Sequence, residues 1–420
     1  MRFREPTSPV TVGAHETTTR HVGALYPCLF DLGRRSPGVA IGLDGSGGLF
    51  SFDPFSLYAT GQLSNPNMVV FGQIGRGKSA FVKTFLFRQV AFGRAIFVVD
   101  PKGEYGSLAR TLGFEPLILK PGGSIRLNPL DLVSPDAADV AARRLQLLES
   151  LLSSSTGRDL LSRERAALEL ALHSACSTYP TPTLPLIVKA LLEPEGESAA
   201  LIYSTRQQLI DDGRDIGLEL RRLIHGDLRG MFDGETSASL AVDGQVIVLD
   251  LSSLYGSDAL GLLMVCASSW LQGLVERQRL IGRQSILVVD EAWAILSDVG
   301  VARWLQASWK LARAWGVCNV AVLHRVSDLH AVGKEGSEQR SLAQGILLDS
   351  ETRVLYSQPS GEVHAAQQLL NLNELECELL QRLARGTALW KIGNHASIVH
   401  HLLGSREWEL VDTDGAMRPQ

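Results

Sequence analysis

Residues Met68 to Phe81 read MVVFGQIGRGKSAF, and this stretch decides the fold. The apolar residues Met68 to Phe71 run into Gly72, and Gly72-Gln73-Ile74-Gly75-Arg76-Gly77-Lys78-Ser79 satisfies G-x-x-x-x-G-K-[ST] at every fixed position. Ala80 opens a helix-permissive run to Gln89. A strand in front and a helix behind is the context that separates a phosphate-binding loop from a chance match. The residue types suit the chemistry. Glycines at 72, 75 and 77 let the backbone turn its N–H groups inward at a helix N-terminus, where they form an anion nest. Lys78 adds a mobile positive charge for the β- and γ-phosphates, and the Ser79 hydroxyl is a Mg²⁺ ligand. The expected bound group is ATP with Mg²⁺, cradled by residues 72–80. A glycine-rich turn that binds nothing is the bland alternative; it leaves the fixed positions and both flanks unexplained.

Hydrolysis also needs a carboxylate on the metal side and a group that orients water. Ser285 to Leu296, SILVVDEAWAIL, offers both in adjacent positions. Asp290, at the end of an apolar strand, can complete the Mg²⁺ shell, and Glu291 can polarise or deprotonate the attacking water. The alternative is an ordinary strand ending in acidic loop residues, but the phosphate loop already requires a partner strand of this kind.

Other apolar runs end the same way. Ala95 to Val99 stops at Asp100-Pro101, Val246 to Leu249 at Asp250, and Val320 to Leu323 at His324. Such runs read as strands buried on both faces of a parallel sheet. Shorter strands are expected at Val354 to Tyr356 and Ala388 to Ile392, and a hairpin at 39–52 with its turn at Asp44 to Gly48. From about Pro135 to Glu235 the texture changes. Val140–Leu152, Arg163–Ser174, Leu184–Leu192 and Ala199–Leu223 carry apolar residues at helical spacing, with no β-type run between them. The expected fold class is α/β: a doubly wound, mostly parallel sheet with an inserted all-helical subdomain, and its site along the edge where the strands end.

Several polar positions fall on that edge. A strand between the phosphate-loop strand and the Asp290 strand would aim His324 at the γ-phosphate as a sensor; a solvated loop histidine is the open alternative. Asp100-Pro101-Lys102-Gly103-Glu104-Tyr105 is either part of the site or a plain turn, and Asp250 reads as a strand-end residue. Arg313, near the end of the Trp304 to Trp315 helix, is the first choice for an arginine that reaches a neighbouring subunit's γ-phosphate. Lys310 and Arg385 are its rivals, and a solvent-facing charge is the alternative. Trp304, Trp309 and Trp315 read as packing residues. His395, His400 and His401 alternate with apolar residues in a strand-like or loop segment, and the absence of any H-E-x-x-H or Cys/His grouping leaves no protein-ligated metal to expect there.

Composition bounds these readings. With 45% hydrophobic and 20% charged residues, the 420-residue chain can bury a large core and does not resemble a disordered one. A net charge of −5 advertises no global nucleic-acid field, although a local basic groove stays open. The scattered Cys28, Cys176, Cys266, Cys318 and Cys377 fit thiols of a reducing compartment. MRFREPTSPVTV lacks the apolar core of a signal peptide, and Ala259 to Val275, interrupted by Ser268, Ser269, Gln272 and Gly273, reads as a buried helix rather than a membrane span. A cytoplasmic protein is expected, peripheral at the inner face of the membrane only through partners.

Taken in order, VVFGQIGRGKS, FVVDPKGEYGSLA, VIVLDLSSL, LVVDEAWAIL, VAVLHRVSDL and RGTALWKIG resemble the conjugative-transfer and type IV secretion ATPases, the TraC-like, VirB-type members of the HerA–FtsK superfamily. The resemblance spans roughly Gly38 to Thr413. It implies a RecA-like core, an energising ATPase, a homohexameric ring that receives an arginine in trans, and membrane-embedded channel proteins as partners, with DNA as an open one. It implies the division 1–66 tail and β-rich lead-in, 67–134 first part of the core, 135–240 helical subdomain, 241–404 second part of the core, and 405–420 tail. The family's glutamine stands here as His324, ahead of Ser327, Asp328 and Leu329. Its Arg-Lys pair survives only as Arg313, followed by Ala314, Trp315 and Gly316. The large N-terminal domain of its fullest members is expected to be absent or reduced to residues 1–66.

Overall fold

The computed structural model describes residues 38–132, 137–195, 205–237, 244–257, 259–296, 299–324 and 338–411. Expectations for the first 37 residues, for Ser327, Asp328 and Leu329, for the start of the Ala199 to Leu223 helix and for the end of the C-terminal tail lie outside them.

One eleven-stranded sheet organises the chain, in the order β2-β1-β11-β10-β9-β3-β8-β7-β4-β6-β5. Its strands are β1 (Val39–Asp44), β2 (Leu49–Phe52), β3 (Met68–Phe71), β4 (Ala95–Asp100), β5 (Leu117–Ile118), β6 (Val246–Asp250), β7 (Ser285–Val289), β8 (Val317–Leu323), β9 (Thr352–Tyr356), β10 (Thr387–Ile392) and β11 (His395–His401). From β9 to β5 all neighbours are parallel. On the other flank β10, β11, β1 and β2 continue the sheet antiparallel, so the lead-in hairpin is joined to the core through β11. The segment holding His395, His400 and His401 is thus a strand.

The apolar runs of the parallel strands follow from burial on both faces. Alternate residues divide cleanly between them. Met68, Val70, Ile96, Val98, Ile286, Val288, Val320 and Val322 meet Phe81, Phe85 and Leu86 of α1 (Lys78–Ala91) on one face. Val69, Phe71, Phe97, Val99, Leu287, Val289, Ala321 and Leu323 form the other face. That second face is covered by α2 (Leu260–Leu280) and α3 (Val299–Trp315). Trp270 and Trp309 are fully buried there and Trp315 nearly so; the side chain of Trp304 is outside the described residues. Leu260–Leu280 is a buried helix, and no helix among the described residues is long and apolar enough to cross a membrane.

Between β5 and β6 no strand occurs among the described residues. The helices α4 (Ala137–Thr156), α5 (Ser162–Thr178), α6 (Leu184–Leu192) and α7 (Arg206–His225) occupy this stretch and are the helical insertion. Their apolar residues, among them Leu147, Leu151, Leu168, Leu191 and Leu220, share one continuous core with the sheet. Arg143 of α4 makes a polar tie, its Nη1 lying 2.6 Å from Glu276 Oε1 of α2 and its guanidinium 5.0 Å from the Trp315 ring. Further short helices, absent from the sequence reading, lie at Glu338–Leu348, Ser360–Leu370 and Glu374–Arg382.

Candidate nucleotide site

Strand register assembles the site. Phe71 of β3 is paired with Leu323 of β8 on one side and with Leu355 of β9 on the other. His324 and Tyr356 therefore flank Gly72 where the phosphate loop begins. Val289 of β7 is paired with Val99 of β4, and Asp100 with Asp250 of β6. Tyr356, Gly72, His324, Asp290, Asp100 and Asp250 thus end adjacent strands along one edge, the position where open α/β sheets bind ligands.

The loop demands its glycines. Gly72 has φ +157°, and a Cβ there would stand 2.4 Å from Cβ of Tyr356. Gly77 has φ +113° and caps Lys78–Ala91 with no side-chain hydrogen bond, which leaves the first N–H groups of that helix to an anion. Gly386 closes the loop from the β10 side, its N–H donating to the Arg76 carbonyl at 2.9 Å. Ile74 projects outward at 74% exposure, while Ser79 and Ala80 are half-buried in the first turn. These features fit a triphosphate, with Ser79 and Asp290 as the residues that would hold its magnesium ion.

Lys78 is buried. Its ammonium donates to the carbonyls of Gly72 and, at 3.3 Å, of Gln73, and lies 3.1 Å from His324 Nδ1. Burial lowers its pKa to about 8 against the opposing pull of Asp290 and Glu291. Asp290 is also buried, and desolvation followed by the charge of Glu291 raises its carboxyl to about 7. A carboxylate buried beside other carboxylates is suited to a cation.

Glu291 is 2% exposed and adopts φ +52°, a left-handed conformation rare outside glycine and frequent at functional sites. Its Oε1 accepts from His324 Nε2 at 2.5 Å and from the Lys102 ammonium, and its Oε2 from the Trp293 indole N–H. Burial pushes its pKa up, but the His324, Lys102 and Trp293 hydrogen bonds outweigh burial and hold it at about 2. One arrangement satisfies both ends of the imidazole: Nε2–H donates to Glu291 and Nδ1 accepts from Lys78.

The structure therefore brings Lys78, His324 and Glu291 into one hydrogen-bonded chain with Asp290 beside it. Arg313 is elsewhere. It is exposed four residues ahead of Val317, at the end of β8 opposite His324. Seven residues of strand span about 23 Å, so Arg313 cannot serve its own phosphate loop. Lys310, on the same helix, is likewise exposed. Arg385 adjoins Gly386, beside its own subunit's loop. Asp100 accepts from the backbone N–H groups of Tyr105, Glu104 and Lys102 at 2.8, 3.1 and 3.3 Å, which fixes the turn after β4, and burial raises it to about 6. Asp250 accepts from Ser252 N at 2.8 Å and is a strand-end residue.

Two residues with no role in the sequence reading stand out. Lys102 meets Glu291 and His324. Lys83, fully buried one turn beyond Ser79, has an ammonium without a hydrogen-bond partner among the described residues, 5.6 Å from the Tyr105 ring. The DPKGEY motif signalled the first; its partner across the sheet edge depends on strand order.

A glycine loop at the end of a central parallel strand, with an acidic pair two strands away, defines a P-loop NTPase fold. Residues 59–259 match the AAA-like domain family. Among solved structures, VirB4 of Thermoanaerobacter pseudethanolicus is similar at 24% identity, with 89% of this chain and 98% of that chain covered and a TM-score of 0.72. The plasmid coupling protein TrwB in complex with ADP and Mg²⁺ is similar at 16% identity, covering 89% and 92%, with a TM-score of 0.57. TrwB bound to a non-hydrolysable ATP analogue gives 0.56 at the same identity and coverage. A comparison with curated protein sequences gave no match. The resemblance read from the motifs thus holds at the level of the fold.

Proposed function

We propose that this protein is a Mg²⁺-dependent ATPase that energises a type IV secretion or conjugative-transfer apparatus. The observation that carries the reading is the chain Lys78–His324–Glu291, which joins the phosphate loop to the acidic strand through the strand between them. ATP bound with Mg²⁺ supplies the phosphoanhydride to be cleaved. Lys78 and the N–H groups of the loop bind its phosphates, Ser79 and Asp290 hold the metal, and Glu291 orients and polarises water. His324 senses the terminal phosphate. The likeness to VirB4 supports the secretion setting, in which channel proteins at the inner face of the membrane dock a cytoplasmic motor. Arg313, exposed and far from its own loop, suits a role in trans across a homohexameric ring. The segments 67–134 and 241–404 form the ATPase core in this reading, with 135–240 as the helical subdomain between them.

ATP hydrolysis by the purified chain tests the reading. Glu291→Gln is expected to cut turnover at least a hundredfold while nucleotide still binds; turnover equal to the parent's refutes the assignment. The likeness to TrwB favours one rival, a DNA-dependent coupling translocase, and salt-sensitive DNA stimulation of hydrolysis would select it.

A further inference from the structure

Glu291 is held by more groups than a water-orienting carboxylate needs. Among its donors, Lys102 carries a permanent charge and sits in the turn after β4. Its side chain is 22% exposed against 2% for Glu291, and its ammonium lies 5.6 Å from the Tyr255 ring. The Lys102 head group can thus change partner without repacking the core. His324 connects it to the phosphate loop. Nε2 of the ring is 3.0 Å from Lys102 Nζ, and Nδ1 is 3.1 Å from Lys78 Nζ. The two ammonium groups stand at opposite nitrogens of one imidazole. A terminal phosphate drawn to Lys78 therefore arrives across a single imidazole ring from Lys102, and two anions compete for a single cation.

We propose that Lys102 is a positioning residue that exchanges between Glu291 and the terminal phosphate of a bound nucleoside triphosphate, and so ties release of the Glu291 carboxylate to the presence of that phosphate. The inference rests on the roles given above to Lys78 and Glu291. With Lys102 and His324 both on Oε1, that oxygen's acceptor positions are taken and a water cannot use them. Movement of Lys102 toward the phosphate frees Oε1 for water and adds positive charge where the phosphoryl oxygens gather negative charge. A diphosphate leaves no group at that distance, and Lys102 stays on Glu291. No covalent bond changes in this step; one cation changes partner.

A double-mutant cycle on binding tests it. Affinities for ADP and for a non-hydrolysable ATP analogue, both with Mg²⁺, are measured on the full chain as parent, Glu291→Gln, Lys102→Met and the double variant. Removal of the competing carboxylate in Glu291→Gln is expected to tighten the analogue about tenfold, the size of one charge-assisted hydrogen bond, and to leave ADP within about twofold. Lys102→Met in the Glu291→Gln background is expected to abolish that tightening, and Lys102→Arg to retain it. Trp293 provides a readout independent of turnover. The analogue, unlike ADP, should change the emission that Trp293→Phe removes, and Lys102→Met should erase the difference. Tightening that survives Lys102→Met, or equal responses of ADP and the analogue, overturns the proposal. Should Lys102→Met alone fail to fold with Glu291 left charged, the double variant removes both charges and still gives the comparison with Glu291→Gln. A parent that binds neither nucleotide refutes the nucleotide reading itself; intact binding with no coupling refutes only the role of Lys102.

Discussion

Acid should loosen the floor of the phosphate loop through one histidine. His401, on β11, lies beneath the loop with its ring 4.8 Å from Phe81, 5.4 Å from Tyr356 and 5.9 Å from Trp390. Trp390 Nε1–H donates to Nε2 at 2.9 Å, which makes that nitrogen an acceptor, and Nδ1 is 2.5 Å from the Tyr356 hydroxyl. A second ring proton has no place in this arrangement. Burial, with smaller contributions from His400 and Arg88, lowers the pKa of His401 to about 3 from 6.5. The folded pKa is depressed, so the unfolded chain binds the proton first. The contribution is complete above pH ~6.5, falls as pH drops below it, and is fully lost near pH ~3. At pH ~5 the loss is about 2 kcal/mol, an upper figure because the residue keeps some solvent contact. Urea unfolding of the parent and of His401→Gln at about pH 7.5 and about pH 5 measures it, since the parent should lose about 2 kcal/mol more than the variant. Asp100 and Asp290, raised to about 6 and about 7, act in the opposite direction, but both proteins contain them and their effect cancels. Equal acid losses in the two proteins would refute the argument, because His401 would then titrate alike folded and unfolded.

Two further substitutions probe the frame of the site. Gly72→Ala forces a Cβ to within 2.4 Å of Tyr356 Cβ. It should lower stability by about 1–3 kcal/mol and weaken nucleotide binding, read by urea unfolding and by titration with ATP and Mg²⁺. Arg143→Met leaves the buried Glu276 carboxylate without its arginine and removes the contact on Trp315. A loss of about 3–5 kcal/mol is expected, with partial recovery in Arg143→Met/Glu276→Gln; recovery would not occur if the arginine acted only through packing.

Much of the candidate site was legible before the fold. Gly72 to Ser79 is local chemistry, because the turn, the helix start and the charged residue follow one another in the chain. Asp290 and Glu291 were legible for a similar reason, since an apolar run that stops on an acidic pair marks a strand end at a sheet edge. His324 could be placed only on the condition that its strand lay between the other two. β8 does lie there, and the imidazole reaches both Lys78 and Glu291. Lys102 was visible only as a member of a motif, because its partners are 189 and 222 positions away (291 minus 102, 324 minus 102). The hairpin at 39–52 and the strand at Ala388 to Ile392 are legible, but their joining through β11 into one antiparallel flank is not, and neither are the helices between Glu338 and Arg382, whose short and mixed runs carry little periodicity.

By itself, the sequence determined that this chain has a phosphate loop, a set of strands buried on both faces, and a long helical insertion. Each of these is written in neighbouring residues, as spacing, apolar runs or glycine positions. The tertiary structure alone decided the order of the strands. Parallel pairing joins residues hundreds of positions apart, and no local pattern records which strand lies beside which. That order sets His324 between two lysines and brings His324 and Lys102 together on Glu291.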